Sequence, residues 1–483
     1  MNRLTSSFRT YACANLKFRL FVETLRKEND VINIDGEVDP KLEVAAFTRR
    51  AYELRAKAPL FNHTRGMHQC LFRILGAPGG LSGDPKASHR RLALHLGLLP
   101  NAGPKEIIDL MLLAKTKKPI PPIHAQHGPC KEVKILGPDV DLTKLPVPLL
   151  NKADGGNYIQ TLARAMIHDK NRKPGLIMKP QHIVRIYDKW VEKGEDVPYA
   201  IALGTPPITV MAASMPLPEK VTEAEYVGSL CGSPPELVKC ETNDIYVPAS
   251  SEIVLEGTIS IRDRGHEGLF GEMYGYSFSD ENSQQLLYTV SAITHRKGPI
   301  LPTCVPGRAT GPGETHTVIG MLASAEIRQL LQDNNLPVKE VIALYESQVI
   351  WAAVQVDRQA LAGLKTNASV FCNRIGNLQI HWLLAIGDDI NPFSFEDVMW
   401  AYATRCRPAM DDFHFEDVQA YPLVPYMSHG PGTKLTGGKV VSNCLLPQEY
   451  EGIQSWVTCD FENGYPDEII DKVIKLWNNL GLD

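Results

Sequence analysis

Residue patterning changes twice along the 483-residue chain, and each change restricts the possible folds. Apolar residues first recur at helical spacing, as in the segments that begin at Asp39 and Pro104. A proline-rich connector at 119–129 can form neither a helix nor a central strand. Strand-like runs then dominate to about residue 295, and helices and strands alternate afterwards. We predict a mixed α/β fold with regions 1–125, 126–305 and 306–483.

Several segments carry more specific predictions. Asp39 followed by Pro40 is typical of a helix start. The runs 145–150 and 208–214 are predicted to be strands, and the run 245–261 predicts a strand buried on both faces or a barrel strand. A helix after Pro466 has a broad apolar stripe, which must dock on its own domain or on a neighbouring subunit.

Composition excludes several classes of protein. Lys and Arg number 50 against 55 Asp and Glu, so the net charge of −5 argues against a nucleic-acid or anionic-membrane partner. No stretch approaches the roughly 20 apolar residues of a membrane span. The ten scattered cysteines indicate buried thiols in a reducing compartment. We expect a cytoplasmic protein; the alternative is mitochondrial, because no acid precedes Glu23 in an arginine- and serine-containing N-terminus.

The run EGLFGE places Glu267 and Glu272 on either side of two glycines. The glycines favour a tight loop that presents both acids near one cavity. Carboxylates in unlike environments can divide the roles of ionised group and general acid. The alternative is a pair of solvated loop glutamates.

Arg164 interrupts an apolar, strand-like run. A buried guanidinium must find a carboxylate or an anionic ligand. Three partners are open at this stage: a structural Asp or Glu elsewhere, the carboxylate of a substrate, or one of the EGLFGE glutamates.

Two further residues have weaker signals. Thr222 and Glu225 form a capping-box pattern, which places Glu223 in the first turn of a helix. Free N–H groups there bind phosphate, and a carboxylate beside them can share a divalent cation with it; the alternative is an ordinary capping acid. His182 is a lone histidine, which is more often a core or surface residue than a metal ligand.

Ten ordered sequence blocks, from about Phe18 to the C-terminus, resemble the UbiD family of reversible decarboxylases. Within the family they are most similar to the fungal ferulic and cinnamic (phenylacrylic) acid decarboxylases. The blocks include LPVPLLNKADGGNYIQT, ARAMIHDKN, PQHI, MAASMPLPEKVTEAEYVGSL, SEIVLEGTISI, EGLFGEMYGY, TRCRPAMDD and YPLVPYMSHGPG.

This resemblance implies a fold and an activity. The implied fold has an N-terminal α/β region, a central split β-barrel for the cofactor, and a C-terminal α/β region that ends in a dimer-bridging helix. The implied reaction is decarboxylation of aromatic α,β-unsaturated acids to styrenes and CO2, through 1,3-dipolar cycloaddition to prenylated FMN. Mn2+ and K+ would hold the flavin phosphate. A homodimer and dependence on a flavin prenyltransferase are also implied.

The resemblance assigns roles residue by residue. Glu272 takes the position of the proton donor, Arg164 orients the carboxylates and the flavin, and Glu267 pairs with Arg164. The implied metal ligands are His182 and Glu223. The implied cofactor contacts are Thr161, Ala163, Arg164, Gln181, His182, Ser214, Met215 and Glu223. The implied substrate-pocket residues are Met178, Met273, Tyr421, Pro422 and Leu423.

Two segments of the family have no counterpart in this chain. The first, W-x-N-W-S-I, would stand between Thr161 and Leu162 and includes the asparagine that completes the metal site. The second, H-K-A-G-Y, would follow Asn377 and includes a lysine that contacts the cofactor. The omissions are those of an impaired or non-catalytic homologue or of a faulty gene model. A decarboxylase of hydroxybenzoates is a further alternative.

Overall fold

A computed structural model describes residues 17–66, 72–160, 164–175, 182–213, 217, 221–278, 283–308, 310–366, 379–421, 423–429, 436–447 and 458–481. The predicted mixed α/β fold is confirmed. Along the chain, segments that contain both helices and strands precede and follow an antiparallel central sheet. Within these ranges no helix combines the length and apolar character that crossing a bilayer requires. The presequence-like residues 1–16 lie outside the described ranges.

The elements are named in chain order. The helices are α1 Phe18–Lys27, α2 Glu43–Glu53, α3 Arg90–His95, α4 Pro104–Thr116, α5 His182–Lys193, α6 Pro207–Ala213, α7 Glu223–Cys231, α8 Glu314–Asp333, α9 Arg358–Thr366, α10 Phe395–Arg405, α11 Pro425–Ser428 and α12 Asp467–Asn479. The strands are β1 Val31–Val38, β2 Ala58–Thr64, β3 Arg73–Gly76, β4 Ile123–Ala125, β5 Val133–Leu136, β6 Tyr158–Gln160, β7 Arg164–Met166, β8 Arg172–Gly175, β9 Val197–Leu203, β10 Glu236–Lys239, β11 Tyr246–Pro248, β12 Ile253–Glu267, β13 Ser283–His295, β14 Ile300–Thr303, β15 Val338–Ala343, β16 Trp351–Val356, β17 Trp382–Ile386, β18 Asp412–Gln419 and β19 Thr436–Cys444.

The N-terminal region is organised around a four-stranded sheet with the order β1-β2-β3-β14. Helix α1 packs Phe21 and Leu25 against Leu60 and Leu75 of this sheet. Strand β14 comes from the end of the central region, so the sheet joins the two regions. A small sheet, β11-β10-β4, takes its edge strand β4 from within the proline-rich connector 119–129.

The central sheet has the order β6-β7-β8-β13-β12-β9, with β5 also paired to β13. Its longest pair, β12 and β13, is antiparallel and brings Glu267 opposite Ser283 at the end of the ladder. The run 245–261 forms β11 and most of β12. Consecutive residues 253–257 are buried, which confirms a strand covered on both faces.

The C-terminal sheet has the order β15-β16-β17-β19-β18. Strands β16, β17 and β19 are parallel to one another, and the edge strands β15 and β18 are antiparallel to their neighbours. Helices α4, α7 and α8 share a large apolar core with this sheet. The sheet therefore has the open α/β arrangement in which ligand crevices form at the carboxyl ends of parallel strands.

Three predictions of local structure are wrong. Residues 208–213 of the run 208–214 lie in helix α6, because Ile208, Met211 and Ala212 bury one helical face, and Ser214 lies outside the described ranges. The run 145–150 contains two prolines, which cannot donate to a sheet, and outside an isolated bridge at Leu149 it forms no strand. Helix α2 begins at Glu43 rather than at Pro40, because the Pro40 carbonyl accepts from the Leu149 N–H at 3.1 Å instead of starting the helix.

Helix α12 lies on the surface of the described chain. None of its residues is buried, although Ile469, Ile474 and Trp477 are large and apolar. One of the two docking sites predicted for this helix was its own domain, but the described residues leave the apolar stripe exposed. A neighbouring subunit is the alternative that stays open.

Candidate active site

Arg164 lies between two buried carboxylates. Its Nε donates to Glu267 Oε1 at 3.2 Å, and its Nη1 donates to Glu272 Oε1. The side chains of Glu267 and Glu272 are 1% and 8% exposed, against 16% for Arg164. The glutamates are therefore not the solvated loop residues of the alternative interpretation.

Two elements bring these three side chains together. Arg164 opens β7, which pairs with β6 so that Gln160 lies opposite Arg164. Only residues 161–163 connect the two strands, at the point where the family segment is missing. Glu267 is the last residue of β12, and Glu272 follows in the loop. The site thus depends on a short strand pair and on the end of the longest ladder in the central sheet.

The loop that holds Glu272 is clamped by residues 154–158, which lead into β6 and include its first residue. Asp154 Oδ1 accepts from the Gly271 N–H at 3.1 Å. The Tyr158 hydroxyl lies 3.0 Å from the Gly268 carbonyl oxygen, to which it donates. Gly155 is required here, because a Cβ on it would lie 2.7 Å from the Gly268 Cα. These contacts fix the loop backbone on both sides of its apolar centre.

Burial and charge oppose one another at Arg164. Burial alone would lower the pKa of Arg164, but Glu272 and Glu267 outweigh it and hold the pKa above its ordinary value. The guanidinium carbon also lies 4.3 Å from the centre of the Phe270 ring, a cation–π distance. Arg164 is consequently a fixed cation beside two carboxylates, and the cluster has one more negative charge than positive when both acids are ionised.

Asp154 is an acid whose position favours its neutral form. Burial raises the pKa of Asp154 to about 6, against the opposing effect of the backbone N–H groups of Asn151 and Gly271. The clamp on the Glu272 loop is therefore sensitive to pH close to neutrality.

An apolar wall continues from Glu272. Met273 and Tyr421, two of the predicted pocket residues, belong to one buried cluster, and the predicted Leu423 packs against it. Burial, and next to it the charge of Glu272, raise the pKa of Tyr421. The phenol is accordingly neutral and close to the acid, as a wall beside a reacting carboxylate needs to be.

The structure describes only some of the other predicted site residues. Glu223 is the first residue of α7, and the Thr222–Glu225 capping box is present as predicted. His182 begins α5, but its side chain is not described. The remaining predicted residues, Thr161, Ala163, Met178, Gln181, Ser214, Met215 and Pro422, lie outside the described ranges. Among the side chains that are described, no three His, Cys, Asp or Glu groups converge as metal ligands.

Three family models match successive parts of the chain. They are the N-terminal, Rift-related and C-terminal domains of 3-octaprenyl-4-hydroxybenzoate carboxy-lyase, and they match residues 22–111, 122–309 and 316–444. The chain belongs to the UbiD family. The sequence resemblance is thereby confirmed, and this UbiD-family chain is a carboxy-lyase by descent.

Curated relatives are similar over nearly their whole length. Ferulic acid decarboxylase 1 of Saccharomyces cerevisiae is 41% identical, with 96% of this chain and 98% of the relative covered. The pyrrole-2-carboxylic acid decarboxylase of Pseudomonas aeruginosa is 40% identical with the same coverage. The alignment to the yeast protein spans 496 positions, more than the 483 residues of the chain, so part of that relative has no counterpart here.

Solved structures show the same fold. The open form of vanillic acid decarboxylase from Sedimentibacter hydroxybenzoicus matches with a TM-score of 0.81 at 26% identity, covering 97% of this chain and all of that one. An evolved dimeric form of the UbiD-class enzyme HmfF from Pelotomaculum thermopropionicum, in complex with prFMN, matches with a TM-score of 0.74 at 25% identity. It covers 91% of this chain and 97% of that one.

Sequence reasoning missed the residues that clamp the site. Asp154, Tyr158 and Phe270 contact the loop or Arg164, but none of them was assigned a role from the sequence. The one available signal was an acid directly before two glycines, at 154–156, which is typical of a tight backbone approach. Nothing in the sequence pairs this segment with EGLFGE, because the contact spans more than a hundred residues.

Proposed function

We propose that this UbiD-family chain decarboxylates aromatic α,β-unsaturated acids, such as cinnamic, ferulic and 4-coumaric acids, with prenylated FMN. The observation that carries the proposal is the placement of Arg164 between two buried carboxylates, next to an apolar wall. A cation attracts the substrate carboxylate, an acid returns a proton, and the wall accepts the aryl group.

The proton balance of the reaction suits this cluster. Loss of CO2 leaves an electron pair on carbon, and one proton must replace the carboxylate to give the styrene. Glu267 and Glu272 are the two carboxyl groups that contact Arg164, and they are the acids of this cluster. Glu272 borders the apolar wall, so we assign the transferred proton to Glu272, which regains it from solvent after release of the product.

A buried oxygen of Glu267, unpaired within the described residues, supports the binding of a ligand or cofactor next to Arg164. Glu267 Oε2 is buried and has no hydrogen-bond partner among the described residues. Leaving such an acceptor unpaired costs about 1–3 kcal/mol, so a donor from a bound molecule fits here. When bound, prenylated FMN would supply the electron sink, through the 1,3-dipolar cycloaddition that the family resemblance implies.

We also propose sites for two metal ions, although fewer of their contact residues are described. We assign Mn2+ to His182 and Glu223, since imidazole and carboxylate ligands together with a phosphate suit that ion. K+ would lie beside the same phosphate, near Ser214 and Met215. The N–H groups in the first turn of α7 favour an anion near Glu223.

Three substrate classes are distinguished by the same assay. We favour cinnamic-type acids because Met273, Tyr421 and Leu423 form an apolar wall. The identity to the pyrrole-2-carboxylic acid decarboxylase is almost as high as that to the ferulic acid decarboxylase. Hydroxybenzoates and pyrrole-2-carboxylate therefore belong in the substrate panel.

A non-catalytic role is the second candidate. It is favoured by the three-residue connection between Gln160 and Arg164, since the family segment missing there carries a metal ligand. A chain that lacks flavin and manganese after co-expression with a flavin prenyltransferase, yet assembles as a dimer, would have this role. We propose a homodimer in either case, with the exposed helix α12 against the partner.

The experiment is a substrate panel on purified protein. The chain is co-expressed with a flavin prenyltransferase, and its flavin spectrum and metal content are recorded first. Cinnamic, ferulic, 4-hydroxybenzoic and pyrrole-2-carboxylic acids are then supplied, and CO2 and the decarboxylated products are quantified. We expect styrene from cinnamic acid; flavin-loaded protein that converts none of the panel refutes the proposal.

A further inference from the structure

A second site is indicated by a cavity in the C-terminal region. The cavity has a volume of about 240 Å³ and lies where β16 and β19 end. Residues 358–365 of α9, which follow β16, form one side of it, and residues 443–447 at the end of β19 form another. In an open α/β sheet this edge, beyond the carboxyl ends of parallel strands, is the usual place for a ligand.

The charges that line the cavity are strongly unbalanced. Four cationic side chains face it, with Asp411 as the one carboxylate among the lining residues. The cations are Arg358, Lys365, Arg405 and Arg407. Asp411 is already engaged, because its Oδ2 accepts from Arg407 Nε at 2.7 Å. The lining still has more cations than carboxylates, so an anion bound in the cavity would be stabilised.

Arg405 supplies an independent observation. It ends α10, and its side chain is only 2% exposed. One of its nitrogens, Nη2, donates to Asp389 at 2.6 Å. The other, Nη1, is buried without a hydrogen-bond partner in the described part of the chain. A buried, unpaired guanidinium nitrogen is costly, and a ligand oxygen in the cavity would satisfy it.

The remaining lining groups suit a small, doubly charged anion. Lys365 lies with Nζ 4.0 Å from the centre of the Phe413 ring, which holds its charge at the cavity. The Arg358 Nη2 donates to the Leu446 carbonyl oxygen at 2.7 Å, which fixes that guanidinium. Planar guanidinium groups match the oxygens of phosphate, and a volume of 240 Å³ exceeds that of several waters at about 30 Å³ each.

We propose that this cavity binds a small dianion that carries a phosphate group, either inorganic phosphate or a phosphomonoester. None of the lining residues belongs to the cluster of Arg164, Glu267 and Glu272. The site is therefore a separate ligand site in the C-terminal region, and the proposal does not depend on the decarboxylase activity.

Calorimetric titration of the full chain tests the proposal. Inorganic phosphate and glycerol 3-phosphate are titrated separately into buffer of matched ionic strength with chloride. Saturable binding of phosphate is expected, and tighter binding of the ester would assign the natural ligand to the phosphomonoesters. Absence of saturable heat for both anions at millimolar concentration overturns the proposal.

Two variants and a matched control locate the binding. Lys365→Met and Arg407→Gln are each expected to weaken the affinity at least about tenfold, because each removes a charged donor. Lys193→Met is the control, since Lys193 also lies over an aromatic ring, at 4.3 Å from Trp190, but is not a lining residue of the cavity. Binding that both cavity variants retain at full strength overturns the site. Melting temperatures without phosphate establish folding, and if one variant is unfolded the other decides.

Discussion

The candidate active site and the C-terminal cavity both contain buried arginine, but their charge balance is opposite. Arg164 faces two carboxylates, so that cluster is short of one positive charge. Arg405 belongs to a lining with four cations and one carboxylate. An excess of carboxylate is neutralised by a proton, and an excess of guanidinium by an anion. The number of carboxylates and cations around a buried arginine, rather than its burial, therefore indicates which ligand the region binds.

The largest expected effect is on turnover. Glu272→Gln keeps the shape of the side chain but removes the acidic proton that we propose Glu272 transfers to the substrate carbon. Steady-state assays with cinnamic acid should show a loss of about 100- to 10,000-fold in kcat, with the flavin spectrum unchanged. Glu462→Gln, at an exposed position, is the control. Turnover of Glu272→Gln within a few-fold of the parent enzyme would contradict the assigned donor.

Removal of the central cation should cost the most stability. Arg164→Leu leaves two buried carboxylates without their partner, which is expected to lower the free energy of unfolding by about 3–5 kcal/mol. Urea denaturation measures this change. Arg172→Leu breaks the solvent-accessible pair with Asp169 in the turn before β8 and should cost less than about 1 kcal/mol. Equal losses for the two variants would show that the acid cluster does not depend on Arg164.

The clamp at Asp154 should have a smaller effect that depends on pH. Because the folded-state pKa, about 6, lies above the usual value of 3.8, folded protein holds the proton more tightly than unfolded protein. The stability that this group contributes is present at low pH and is lost as the pH rises from about 4 through 6.

Unfolding of the parent protein and of Asp154→Asn at pH 5 and pH 7.5 tests this sign. The advantage of Asp154 over Asn should be larger at pH 5, by about 0.5–1 kcal/mol after allowance for partial solvent exposure. An advantage that grows toward pH 7.5 would mean that the carboxylate, not the neutral acid, is the form that the fold favours.

The smallest effect is predicted at the cavity. Lys365→Met removes one of four like charges and also a cation–π contact, so the two consequences oppose each other. In the absence of phosphate the free energy of unfolding should change by less than about 0.5 kcal/mol. A loss of several kcal/mol would indicate that Lys365 is a structural partner, as Arg164 is, and would remove the contrast between the two regions.

Helices with clear periodicity were predictable, as α4 and α12 show, and so was the doubly buried strand β12. The failures have physical causes. The β-branched residues of 208–213 favour strands locally, but tertiary packing of Ile208 and Met211 makes this segment a helix. Helix α2 begins late because the backbone of Pro40 pairs with Leu149, a contact between distant segments that no local pattern contains.

At the site, residue type predicted which groups must meet but not how they are held. A buried arginine and two loop acids require one another on electrostatic grounds. Their clamp, Asp154 and Tyr158, depends on hydrogen bonds to backbone groups, which any residue can offer. The charged cavity was also missed, because its four cations come from two segments, α9 and the end of α10, that only the fold of the sheet brings together.

The most direct test is decarboxylation of cinnamic acid in D2O by flavin-loaded protein, followed by mass spectrometry of the styrene. We expect one deuterium at the carbon that carried the carboxylate, since the proton comes from an exchangeable acid in the site. Protein that carries flavin and yields no styrene, or styrene without that deuterium, would overturn the proposed role of Glu272 and the decarboxylase activity.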